Sequence, residues 1–179
     1  MKIIAFGASA SKNSINKQFA TYVAGLFDAQ ATEILDLNNY QLPLFSVDTE
    51  KKSGIPEDAK MFHQKLREAD LIIISMAEHN GSYTAYFKNL FDWVSRHDLK
   101  MFSEKKLLLL STAPGARGGL SALEAARDRF PRHGGEIAGS FSLPHFTDNF
   151  STEKGILDEK LNADLIELVQ QINAGFKSI

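Results

Sequence analysis

Short apolar runs alternate along this chain with longer stretches in which apolar residues recur every three or four positions. Residues 2–6 read as a buried strand. Over 16–27, Phe19, Ala20, Val23, Ala24 and Phe27 share one helical face. Residues 32–37 give a second strand. Segment 38–54 follows, containing Pro43 and ending at Gly54; it reads as irregular and is longer than most connections. Pro56 suits the first position of the next helix, whose stripe is Ala59, Phe62, Leu66 and Ala69. Residues 71–76 are apolar apart from Ser75, as a central parallel strand covered on both faces should be.

A turn at Asn80-Gly81 precedes a helix over 85–96, and a further strand spans 106–110. Residues 121–130 read as a helix broken at Gly134-Gly135, residues 136–143 as a fifth strand, and 157–176 as a closing amphipathic helix. Five strands alternating with five helices predict a parallel sheet with helices on both faces. In 179 residues this points to one α/β domain over 1–179, flavodoxin-like, with a five-stranded parallel sheet in the order 2-1-3-4-5.

Composition narrows the chemistry. The net charge of -2, from 20 basic and 22 acidic residues, argues against a nucleic-acid binder. With no cysteine, thiolate catalysis, disulfides and iron–sulfur clusters are excluded. The five histidines lack zinc-binding spacing, so no metal is expected. No run approaches the roughly 18 apolar residues of a membrane span, and the start does not read as a signal peptide. The expected compartment is the cytoplasm, with no membrane partner.

In this sheet order ligands bind beyond the carboxyl ends of the strands, between strands 1 and 3. Three loops meet there: 7–15, 77–84 and 111–119. The first holds Ser9, Ser11, Asn13, Ser14 and Asn16 around a helix start, a concentration beyond the needs of one N-cap. Hydroxyls, amides and free N–H groups at a helix N-terminus suit a phosphate, and Lys12 could add charge. The dinucleotide glycine fingerprint and the P-loop are both absent.

The second loop carries Glu78, His79, Asn80 and Gly81. Its turn can offer amides to a heterocycle, and His79 reads better as a wall residue than as a proton donor. The third loop, with Ser111, Pro114, Gly115 and Arg117, allows close backbone approach. Arg117 reads equally as an anion contact and as an exposed turn residue. Trp93 with Phe87, Leu90 and Phe91 reads as core or interface, and Asp92 with Arg96 as a surface ion pair.

Taken together, the loops resemble the NADPH-dependent FMN reductase family, with its quinone-, azo- and chromate-reducing members. The carriers are Ala8 to Asn16 followed by Phe19-Ala20, then Ala77-Glu78-His79-Asn80-Gly81-Ser82, then Phe87 to Arg96, and Ala113 to Gly119. Ser11, Ala77 and His79 stand where the family pattern has arginine, proline and tyrosine.

The resemblance implies FMN as cofactor and NAD(P)H as co-substrate. Its first-loop contacts would be Ser9, Ser11, Ser14, Ile15 and Asn16. The second loop would add Glu78, His79, Asn80 and Gly81, and the third Ser111, Pro114 and Gly115. Arg117 would lie on the substrate side. It further implies ping-pong transfer to a small acceptor (free flavin, quinone, azo compound or metal oxyanion), with the cofactor rather than any side chain carrying the chemistry. A homodimer or homotetramer is expected, with 85–96 and 38–55 as interface pieces. Two other readings stay open: a flavodoxin-type electron carrier, and a flavin-free binding domain on the same scaffold.

Overall fold

The computed structural model describes residues 1–177. Its five-stranded sheet is parallel throughout. The strands are β1 (Lys2–Gly7), β2 (Ala31–Ile34), β3 (Leu71–Met76), β6 (Lys106–Thr112) and β7 (Glu136–Leu143), in spatial order β2-β1-β3-β6-β7. That is 2-1-3-4-5 counted over the main sheet, as the alternation of apolar runs predicts. Two short hairpins lie outside it: β4 (Glu78–His79) with β5 (Ser82–Tyr83), and β8 (Phe150–Ser151) with β9 (Gly155–Ile156).

The strand pleat divides the core. Ile4 and Phe6 of β1, Ile72 and Ile74 of β3, and Leu107 and Leu109 of β6 point to one face. There they meet α3 (Glu57–Arg67), α4 (Ala85–His97) and α5 (Leu120–Arg129). Ile3, Ala5, Ile73, Leu108 and Leu110 point the other way, onto α1 (Ile15–Gly25) and α7 (Glu159–Lys177). Trp93 of α4 is fully buried, and its indole N–H donates to the Pro43 carbonyl at 2.7 Å. It therefore anchors the long segment that follows β2. Burying a side chain of this size contributes about 2–3 kcal/mol.

Several local expectations are revised. Segment 38–54 contains α2 (Val47–Ser53), capped by the Ser46 hydroxyl and closed by Gly54 at φ 70°. It buries none of its residues, so no apolar stripe marked it in the sequence. Pro56 is the N-cap residue of α3, one position earlier than expected. A further short helix, α6 (Phe146–Asn149), follows β7. Asp92 does not pair with Arg96: Lys88 holds Asp92 at 2.8 Å, and Arg96 reaches Glu50 of α2 at 3.1 Å. No helix among the described residues is long and apolar enough to cross a membrane.

Gly7 places the start of α1. A Cβ there would lie 2.4 Å from the Lys17 nitrogen and 2.8 Å from the Asn16 carbonyl carbon. Only glycine lets the first turn of α1 press onto the end of β1. This contact turns the helix N-terminus toward the carboxyl end of the sheet.

Candidate functional site

A cavity of about 320 Å³ opens at that end, between β1 and β3. The first loop lines it with Ser9, Ser11, Asn13, Ser14, Ile15 and Asn16. The second contributes Ala77, Glu78 and His79, and the third Thr112, Ala113 and Pro114. Its size falls in the range of small-ligand sites.

The first loop is built to leave donors free. Ser14 caps α1, its Oγ accepting the Lys17 amide at 3.2 Å. Ser9 Oγ accepts the Ser11 amide at 3.1 Å. Each hydroxyl thus uses a lone pair and keeps its proton for a ligand. The amides of Ile15 and Asn16, in the first turn, have no intrahelical acceptor. They add the helix dipole's positive end to the cavity.

The Asn16 side chain turns away from the cavity into the sheet. Its Oδ1 accepts Ser75 Oγ at 2.7 Å and the Thr112 amide at 3.1 Å, while Nδ2 donates to the Thr112 carbonyl at 3.1 Å. This buried clamp joins α1 to β3 and β6 and leaves only Asn16's backbone amide for a ligand. Lys12 lies on a neighbouring groove of about 470 Å³ shared with Lys17, Tyr22 and Phe150. Lys17 is paired with Asp36 at 2.5 Å; that hydrogen bond, with the Asn38 amide, holds the Asp36 carboxyl down at about 2.

In the second loop, Asn80 and Gly81 have φ of 53° and 73°. Those positive values fit the two-residue hairpin that Asn-Gly specifies. His79 is exposed on the cavity wall. Glu78 lines the cavity and also reaches α5: Oε2 accepts the amides of Ser121 at 2.8 Å and Ala122 at 3.2 Å. Thr84 caps α4 and donates its hydroxyl to the Ala8 carbonyl at 2.9 Å, tying this loop to the first.

The third loop is largely self-satisfied. Gly115's carbonyl accepts the amides of Gly118 and His145, and Ala113's accepts that of Phe146. Ser111, expected in a loop, lies within β6, fully buried. Gly115 and Arg117 are exposed beyond the cavity, and Arg117 reaches Ser121 Oγ at 3.3 Å. Asn80 and Gly81 cap the hairpin tip outside the cavity lining. Residue-by-residue reading missed the clamps formed by Asn16, Thr84 and Glu78. One signal was available: Gly119, at the start of α5, has no side chain to cap it.

The donor set suits FMN's phosphate: two hydroxyls and two open amides converge on a cavity whose acidic lining residue, Glu78, has Oε2 turned to the amides of α5. A model of the family described as NADPH-dependent FMN reductase matches residues 1–148. An uncharacterized MG342 homolog of Mycoplasma pneumoniae is 30% identical over 153 residues, covering 83% of this chain and 90% of that protein. A quinone reductase of Pseudomonas putida is 32% identical over 121 residues, 66% of this chain. This chain spans 63% of that reductase's length. Among solved structures, the flavoenzyme NAD(P)H:(acceptor) oxidoreductase FerB of Paracoccus denitrificans superposes with a TM-score of 0.76 at 19% identity, covering 99% of this chain and 97% of its own. An FMN-dependent NADH-azoreductase of Bacillus anthracis in complex with FMN gives 0.65 at 12% identity, covering 97% of this chain and 100% of its own. The chain belongs to the NADPH-dependent FMN reductase family, a family of NAD(P)H-dependent oxidoreductases whose cofactor is FMN.

Proposed function

We propose that this chain binds FMN at the carboxyl end of its sheet and passes electrons from NAD(P)H to a small acceptor: free flavin, a quinone, an azo compound or a metal oxyanion. The observation that carries this is the first loop. Ser9 and Ser14 keep hydroxyl protons to donate, and the first amides of α1 lie open beside them. FMN, when bound, supplies the hydride and electron transfer chemistry.

The protein's part is position and electrostatics. Ser9, Ser14 and the amides of Ile15 and Asn16 would hold the phosphate without an arginine. Ala77, His79 and Pro114 would wall the ring. The amides of the Asn80-Gly81 turn, at the hairpin tip, would favour negative charge on a reduced ring that extends past the cavity lining. Arg117, exposed beyond the cavity lining, would meet a substrate anion.

The quinone and azo reductases among the relatives support this acceptor class. The reading extends to a homodimer or homotetramer formed through α4 and segment 38–55. Leu44 and Val47 there are 82% and 57% exposed, apolar side chains that a second copy would cover. Light scattering that finds a fully active monomer would overturn that part.

Stopped-flow mixing of the FMN-loaded chain with anaerobic NADPH tests the activity. Rapid bleaching of the flavin band is expected. A flavin that binds but stays oxidised would mark an electron carrier instead.

A further inference from the structure

We propose that Glu78 is a positioning residue for the cofactor: its carboxylate locks the second and third site loops into one unit. The proposal rests on the FMN reading above. Gly119 is the N-cap residue of α5, with φ 77° and no side chain to accept the first-turn amides. A side chain there would be strained by that φ, and its Cβ would lie 3.3 Å from Ser111 Cβ. The cap must therefore come from elsewhere.

Glu78 supplies it, 43 residues away in sequence, by accepting Ser121 N–H at 2.8 Å and Ala122 N–H at 3.2 Å. A carboxylate at a helix N-terminus is favoured by the dipole, so its charge is answered within the protein rather than at the ring. The consequence reaches the cavity through β4. Adjacent residues of a strand point to opposite faces, so fastening Glu78 to α5 sets the direction of His79. The other end of the same loop is fastened to the Ala8 carbonyl by Thr84. Glu78 thus completes a frame in which the ring-side wall cannot move independently of α5.

The test compares Glu78→Ala and Glu78→Gln with Asp158→Ala. Asp158 accepts the Leu161 amide at 2.9 Å at the start of α7, so its loss removes a helix cap outside the three site loops. FMN dissociation constants come from quenching of flavin fluorescence, and amide exchange is followed by mass spectrometry on the apo-proteins. Glu78→Ala should weaken FMN by about tenfold or more and accelerate exchange in 77–84 and 113–122 together. Asp158→Ala should accelerate exchange in α7 and leave FMN affinity within about twofold. Glu78→Gln, which keeps one carbonyl acceptor, should recover much of the loss. If Glu78→Ala does not fold, Glu78→Gln decides by the same comparison, with about a threefold weakening expected. Equal affinity in parent and Glu78 variants, or faster exchange confined to α5, overturns the proposal alone. A parent chain that binds no FMN overturns the functional reading and this proposal with it.

Discussion

Loops 8–14 and 113–119 both follow a buried strand, precede a helix and consist of small and polar residues. Their polar groups meet different fates. In the first, the Ser9 and Ser14 hydroxyls accept one amide each and keep their protons, and the first amides of α1 stay open. In the third, the carbonyls of Ala113, Gly115 and Gly118 are taken within the chain, and Glu78 takes the first amides of α5. A phosphate site requires a helix N-terminus that the protein has not already answered with an acid. Composition alone does not distinguish the two cases.

Within the first loop, Asn16 and Ser9 should separate scaffold from ligand contact. Asn16→Ala removes three hydrogen bonds and strands buried groups of Ser75 and Thr112. The apo-protein should lose about 3 kcal/mol, or roughly 10 °C of melting temperature, in a calorimetric scan. An unchanged melting temperature would remove the clamp from the account. Ser9→Ala should do the reverse: FMN affinity falls about tenfold while the apo melting temperature barely moves. Flavin titration beside a thermal melt reads both.

A smaller effect lies away from the loops. His133 is buried, with Nδ1 2.8 Å from the Leu99 carbonyl oxygen and Nε2 lacking a partner among the described residues. Burial pushes its pKa down, more than the Leu99 carbonyl pushes it up. The folded chain therefore binds fewer protons than the unfolded chain below about pH 6.5. Stability should be full above that pH and decline as pH falls through it. Urea midpoints measured from pH 7.5 to 5 should show the slope, and His133→Gln should flatten it. An equal slope in both would assign the acid sensitivity elsewhere, His63 being the other buried histidine with a lowered pKa. The smallest effect belongs to the third loop. Arg117→Ala should leave FMN affinity within about twofold, since the side chain is exposed and outside the cavity. A tenfold loss would return that loop to the cofactor site.

The fold was legible because buried parallel strands are continuous apolar runs; 71–76 and 106–110 could be read almost to the residue. The Asn80-Gly81 hairpin was legible because its backbone demands positive φ. Long-range polar partnerships were not. Asn16 meets Ser75 and Thr112 from 59 and 96 residues away, and nothing in its neighbours marks a side chain turned inward. Arg96 finds Glu50 on a helix without an apolar stripe, so the i, i+4 spacing to Asp92 misled. The sheet order located the site loops, and the resemblance supplied the cofactor. Only the geometry sorts their residues into those that brace the cavity and those that face it.

The central claim is that the first loop and the start of α1 hold the cofactor's phosphate. Titrating the apo-protein with FMN and with riboflavin, which lacks only the phosphate, tests it most directly. The account predicts that FMN binds at least about a hundredfold more tightly. Equal affinity for the two flavins would contradict it.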